Sequence, residues 1–176
     1  MGDARSTGWR DKSADVVLLL GPLYHLTERR ERVTVLREAG RVLRPGGVLF
    51  AAAISRYASV LDGLWTHHTD DPAFQQIVER DLVDGQHRNP TGNANYFTTT
   101  YFHRPEDLEA ELEEAELKVQ RVCAVEGPAW LLPSLEADLQ IPERRDRLFE
   151  YLRKIESEPS LRGVSAHLLG VARSRS

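Results

Sequence analysis

The sequence predicts an α/β domain built on a parallel sheet, and three observations predict it. Residues 16–20 form an unbroken apolar run, Val-Val-Leu-Leu-Leu. Residues 48–54, Val-Leu-Phe-Ala-Ala-Ala-Ile, form a second. Neither alternates, the pattern of strands covered on both faces. Between them Val33, Leu36, Ala39, Val42 and Leu43 recur at three- and four-residue steps, while Glu28, Arg29, Arg30, Glu31, Arg32, Arg37 and Arg41 fall largely elsewhere. That is an amphipathic helix with one face on a sheet. Strand, helix and strand in this order make one right-handed crossover between parallel strands.

Residues 1–13 are polar and turn-like and carry no signal that fixes their conformation. Thr27 stands where the helix N-cap belongs, with Arg30 where a capping box would have Glu. Arg44-Pro45-Gly46-Gly47 stops the helix, because Pro disfavours helical geometry at Arg44 and glycine tolerates positive φ. A further helix is expected over residues 72–83, with Pro72 in its first turn, Asp70 and Asp71 at its positive end, and Phe74, Ile77, Val78 and Leu82 as its apolar positions. Residues 84–95, dense in Gly, Asn and Pro, read as loop. Residues 97–103 are β-prone, and Pro105 opens a helix to about residue 116 whose buried face is Leu108, Leu112 and Ala115. Residues 117–125 and 164–173 read as the last two strands. Between them, a helix over residues 142–156 carries Leu148, Tyr151, Leu152 and Ile155 on one side.

The chain has 176 residues and 41% hydrophobic content, enough for one domain with its own core. A net charge of −4 gives no electrostatic reason to expect nucleic acid or an anionic membrane as partner, so the expected partner is a small molecule. The single cysteine, Cys123, rules out an intramolecular disulfide. With no span-length apolar run and no signal-peptide core, a reducing, cytoplasmic setting is expected. His67-His68-Thr69-Asp70-Asp71 matches no strong ligand spacing, so no metal site is expected.

The string from Asp15 to Leu26, Asp-Val-Val-Leu-Leu-Leu-Gly-Pro-Leu-Tyr-His-Leu, followed by Leu-Arg-Glu-Ala-Gly-Arg-Val-Leu-Arg-Pro-Gly-Gly from Leu36 to Gly47, closely resembles the second half of a class I S-adenosylmethionine-dependent methyltransferase. Gly2-Asp3-Ala4-Arg5 is similar to the acidic loop that precedes the same strand in that family. The resemblance implies an incomplete Rossmann-like sheet spanning residues 1–176, parallel except for an antiparallel last strand, with helical insertions at residues 55–95, a lid, and at residues 127–160. It also implies the cofactor S-adenosylmethionine. The glycine-rich loop and ribose-binding acid of that family are not found in this sequence, so weakened cofactor binding is expected.

The loop from Leu20 to His25 leaves the carboxyl end of a parallel strand, where open α/β sheets bind ligands. Tyr24 and His25 offer an aromatic face and a titratable ring within one turn. The resemblance implies that Asp3 and the Ala4 amide read adenine, that Leu20 and Gly21 flank the methionine part, and that Tyr24 and His25 face the acceptor as the catalytic pair. Arg56, Tyr57 and Trp65 are candidates to bind the acceptor, with Phe74, Tyr96, Phe97 and Tyr101 as lid lining and Trp130 and Tyr151 as a second wall. Each has a plainer reading: Asp3 solvated, His25 bonded to a neighbouring carbonyl, the aromatics packing the lid, His103 a structural cap and Cys123 a buried hydrophobe.

Two functions remain open at this point. One is a methyltransferase of small organic acceptors, weakly active or inactive as this chain alone; the other is a non-catalytic module that dimerises or completes a partner chain. Both share a consequence: the strand near Val16 has an unpaired apolar edge, which recruits a second copy or a complementing chain.

Overall fold

The computed structural model describes residues 2–175. Its sheet is organised on β2 (Leu43–Ser55), the longest strand. Along one edge of β2 runs the antiparallel β6 (His167–Arg173), whose other edge pairs with β5 (Lys118–Ala124). Along the opposite edge lies β1 (Ala14–Leu19), parallel, with Val16 to Leu19 in register with Val48 to Ala51. Beyond the end of β1 that same edge is taken by β4 (Thr100–His103), through Ile54 with Phe102 and Ser55 with His103. The expected parallel sheet with an antiparallel last strand is therefore present. A two-residue strand, β3 (Gln86–His87), hangs from β4.

Registered pairs point to the same face, so the sheet has two distinct sides. One carries Leu19, Leu49, Ala51, Ala53, Leu168 and Ala172 and is covered by α2 (Arg29–Val42) and α5 (Pro105–Glu114), which contribute Val33, Leu36, Leu108 and Leu112 to a common core. The other carries Val16 and Leu18, which are 52% and 63% exposed. The unbroken apolar run predicted a strand covered on both faces; β1 is covered on one, because no helix packs over Val16 and Leu18 among the described residues.

Helix α2 buries every residue of its predicted face, but starts one residue later than a Thr27 N-cap suggests, with Glu28 at its N-cap. The Thr27 carbonyl has another task. It accepts from Arg32 Nη1 at 2.8 Å and from Gln86 Nε2 at 2.9 Å, tying the start of α2 to the segment around β3. Gly46, at φ 76, lets Arg44 to Gly47 loop out between the two registers of β1 and β2. The N-terminal segment, unassigned by sequence, lies along α2: Thr7 N and Oγ1 donate to Glu38 Oε1 at 2.8 Å, and Arg41 Nη2 donates to Trp9 O at 2.8 Å.

Between β2 and α5 the chain forms α3 (Ala58–Thr66), which no sequence signal announced, then α4 (Pro72–Asp84). Asp71 caps α4 by accepting from Ala73 N at 2.8 Å. Gly85 ends it at φ 74, and an added Cβ there would meet Phe102 O at 2.4 Å and Arg56 Nε at 2.7 Å, so this close return to β4 requires glycine. Between β5 and β6 lie α6 (Leu135–Leu139), α7 (Pro142–Ile155) and α8 (Pro159–Arg162).

One buried ion pair joins these parts. Arg32 on α2 meets Glu111 on α5, with Nη2 to Oε1 at 2.6 Å and Nε to Oε2 at 3.0 Å, both side chains nearly fully buried. Arg32 also donates to Leu26 O at 3.0 Å and lies 3.5 Å over the Tyr101 ring. His103 Nε2 also bonds Glu111 Oε2, at 3.2 Å, so His103 is a buried member of this cluster and not a helix cap. Burial pushes the His103 ring below its ordinary pKa. Burial raises Glu111, but the bonds from His103 and Arg32 together outweigh it and leave the carboxyl below its usual range. Arg32→Met alone leaves Glu111 charged in the core with His103 as its remaining partner, and is expected to lower the unfolding free energy by about 3–5 kcal/mol in urea titration. Arg32→Met with Glu111→Leu should recover most of that loss.

Candidate functional site

Three concavities lie at the carboxyl ends of the strands. One, after β5, is lined by Ala124, Glu126 and Leu152 among others. Of the other two, the first is shallow, about 390 Å³, and is lined by Gly2, Asp3, Ala4, Arg5, Pro22, His25 and Leu26. The loop after β1 reaches it as a single helical turn, α1 (Pro22–His25), anchored by the buried Leu23. Tyr24 and His25 pack with ring centroids 4.9 Å apart, and Tyr24 OH donates to Leu20 O at 3.4 Å. Leu20 and His25 are exposed. Gly21 has extended φ, and an added Cβ would meet only the Tyr24 hydroxyl at 3.7 Å, which leaves open space beside the backbone.

The Asp3 carboxylate is held by Arg5, which donates from its backbone N at 2.9 Å and from Nη2 at 2.8 Å, while Arg5 Nη1 reaches Glu31 at 2.5 Å. The bonds from Arg5 lower the Asp3 pKa from 3.8 to about 2. Asp3 is therefore an oriented anion each of whose oxygens already meets two Arg5 donors, so a ligand N–H would share that carboxylate with Arg5. These features fit two parts of S-adenosylmethionine: an acceptor and a neighbouring amide for a purine edge at Asp3 and Ala4, and an open backbone flank at Leu20 and Gly21.

The second concavity is a cavity of about 310 Å³ over the end of β2. Ile54, Phe102 and His167 share one register position on its floor. Its lid side is Ala58, Ser59, Asp62, Phe74, Asn95, Tyr96 and Phe97, and its far wall is Trp130. Trp130 is fixed by its indole N–H, which donates to Val164 O at 2.8 Å. Phe97 sits on the rim at φ 64, a backbone state that costs a non-glycine residue about 1–3 kcal/mol. Within the lining, His87 is wedged between Asp81 Oδ2 at 2.8 Å and Tyr96 O at 2.7 Å, and Tyr96 OH donates to Asp71 Oδ2 at 2.6 Å.

The structure distributes the expected acceptor contacts unevenly. Arg56 is 4% exposed and its guanidinium faces inward, to Phe102 O at 2.8 Å, Tyr101 OH at 3.3 Å and Asp107 Oδ2 at 3.1 Å. Tyr57 precedes α3 and lies against Gly163, and Trp65 is 53% exposed; neither lines the cavity. Phe74, Tyr96 and Phe97 do line it, whereas Tyr101 lies beneath Arg32. Of the expected second wall, Trp130 is in place. Tyr151 points into a different surface groove, with Arg147 and Asp138.

Sequence reading missed His167 and Glu126. His167 Nδ1 meets Glu126 Oε1 at 2.7 Å, and Glu126 Oε2 accepts from Ser165 Oγ at 2.8 Å and from His167 N at 3.0 Å. The two residues lie 41 positions apart and no local motif joins them. Ser165 is buried and bonded to the acid, not to the histidine, so the trio is not a nucleophile–base arrangement.

The topology defines an α/β protein with crevices at the carboxyl ends of its parallel strands. Residues 1–51 match the family model described as a methyltransferase domain. Across 98% of this chain the fold is that of an S-adenosylmethionine-dependent methyltransferase from Methanosarcina mazei, at 16% identity and TM-score 0.53, and it covers 65% of that protein. A second such enzyme, from Mesorhizobium loti, gives 15% identity, TM-score 0.54 and coverage of 98% and 67%. A Thermotoga maritima protein described as a possible histamine N-methyltransferase gives 15%, 0.51, 99% and 62%. The chain thus spans about two thirds of the length of these three proteins. No curated protein matches it. Among the described residues no helix is long and apolar enough to cross a membrane.

The Glu126–His167 pair predicts a pH dependence. Burial raises Glu126, but hydrogen bonds from His167 and Ser165 bring it from 4.5 down to about 2; the bond to Glu126 raises His167 above 6.5. A depressed carboxyl contributes stability above its unfolded pKa and loses it as pH falls through the folded one. A raised histidine contributes below its unfolded pKa and loses it as pH rises through the folded one. The pair is therefore whole between 4.5 and 6.5. The urea midpoint should fall as pH drops from 4.5 towards 2, and Glu126→Gln should flatten that slope.

Proposed function

We propose that this chain is part of an S-adenosylmethionine-dependent methyltransferase acting on a small organic acceptor. The observation that carries the reading is the meeting of Asp3, Ala4, Pro22 and His25 in one pocket at the carboxyl end of β1, within the stretch that matches a methyltransferase domain. The cofactor, when bound, supplies a methyl group already activated on a sulfonium. The protein's share is then positioning, exclusion of water and handling of a proton. Asp3 and Ala4 would hold the adenine edge, and Leu20 and Gly21 the methionine side. Tyr24 and His25 would present the acceptor, with His25 able to take its proton. The single cysteine fits a cytoplasmic setting.

Cofactor binding by this chain alone is expected to be weak, because these residues grip only part of the molecule. Isothermal titration with S-adenosylmethionine and S-adenosylhomocysteine tests the reading. Saturable binding that weakens about tenfold in Asp3→Asn supports it. No heat at saturating ligand, from folded protein, would sink it.

The open edge of β1 favours a companion proposal: a second chain, most simply another copy, pairs with Val16 to Leu19 and covers Val16 and Leu18. If that contact also closes the Gly21–His25 crevice, the chain is a non-catalytic interaction module. Sedimentation velocity should then give a dimer that Leu18→Lys dissociates. A monodisperse wild-type monomer at micromolar concentration would count against both pairing and module.

A further inference from the structure

His167 and Glu126 have no part in the mechanism above, yet His167 lines the cavity over β2 and Glu126 is bonded to it from outside that lining. Glu126 accepts from His167 Nδ1, from His167 N and from Ser165 Oγ, and Ser165 in turn accepts from the amides of Glu126 and Gly127 at 3.1 Å each. This network fixes the carboxylate, and the carboxylate fixes the imidazole with Nδ1 as its donor nitrogen. Nε2 is left without a hydrogen bond among the described residues. A histidine oriented by an acid, with its second nitrogen free on a cavity, is the arrangement of a general base.

The cavity describes what such a base would meet. Its walls at Ile54, Tyr96, Phe97, Phe102 and Trp130 are flat and mostly aromatic, and the locked indole of Trp130 gives one face a fixed plane. About 310 Å³ is at the lower end of small-molecule sites, room for one or two fused rings. The charged groups around the cavity are Glu126, bonded to His167, and Asp62, an exposed residue of the lining; His87, also in the lining, has both nitrogens bonded. Asp62 disfavours a ligand that arrives as an anion, and a cationic amine would meet the imidazole when it is protonated. A neutral hydroxyl on an aromatic ring satisfies both.

We infer that this cavity binds a planar aromatic hydroxyl compound and that His167 Nε2 takes its phenolic proton. In that step the O–H bond breaks, the N–H bond forms, and the electron pair stays on oxygen as a phenolate beside the imidazolium. The hydrogen bond to Glu126 raises the His167 pKa, which helps it hold the proton. The inference deepens the proposed methyltransferase reading by naming its acceptor class, and as an acceptor site it rests on that reading.

The test uses 4-nitrophenol, whose phenolate is coloured, and 4-nitroanisole, its shape analogue without an ionisable proton. Trp9 and Trp65 are exposed, so Trp9→Phe/Trp65→Phe leaves Trp130 as the sole fluorescent reporter. We expect both probes to quench Trp130. Bound 4-nitrophenol should ionise about one pH unit below free probe, as beside an opposite charge. That shift should vanish in His167→Gln and shrink in Glu126→Gln, with quenching retained. Should His167→Gln fail to fold, the wild type still decides: preference for 4-nitrophenol over 4-nitroanisole at neutral pH supports the site, and equal affinity overturns it. An unshifted transition in wild type, or a shift that survives in His167→Gln, also overturns it. Binding of S-adenosylhomocysteine is titrated on the same sample. Cofactor binding without probe ionisation refutes only the acceptor site; ionisation without cofactor binding supports the site and refutes the methyltransferase reading.

Discussion

The Arg32–Glu111 pair is the constraint on which the rest of the structure depends. A charge taken out of water must be fully paired, and Arg32 is paired on every side: Glu111 from α5, the carbonyls of Leu26 and Thr27 before α2, and the Tyr101 ring from β4. Those partners come from the crevice loop, the helix layer and the lid strand. Because the guanidinium is rigid and planar, the pieces are held in one mutual geometry and not merely near one another. Arg56 does the same on a smaller scale, clamping β4 and the start of α5 through Phe102 O and Asp107.

Local pattern was enough to read the helix and strand skeleton. The face of α2 follows from spacing, α4 from Pro72 and its acidic cap, and α5 from Pro105, since in each the signal lies within a dozen residues. The two-sided burial of β1 was misread because an apolar run shows only that residues tolerate burial, not that a covering layer is present. Helix α3 was missed because its ends carry no strong cap: Tyr57 makes no side-chain bond to it, and His67 ends it in a left-handed conformation that sequence does not advertise.

The site was legible in the same uneven way. The Gly21–His25 loop stood out because a position after a parallel strand is a topological fact readable from order alone. Arg56 drew attention as a loop arginine, and nothing local told that its partners would be a carbonyl 46 positions away and an acid 51 away. Glu126 and His167, and Arg32 with Glu111 at a separation of 79, were out of reach for that reason. Pairing of distant polar residues is decided by the fold and leaves no period in the chain.

Both large excursions from the sheet begin and end on residues that the sheet itself holds together. Ser55 and His103 are registered neighbours at the two ends of one, and Ala124 and Leu168 at the two ends of the other, where Val125 N also donates to His167 O at 3.0 Å. The ladder closes each loop, and the entropic cost of a closed loop grows only with the logarithm of its length. Segments inserted at these gates can therefore lengthen, shorten or be exchanged over evolution with little effect on strand register. The sheet is a fixed socket, and what is plugged into it decides which molecules the crevice admits.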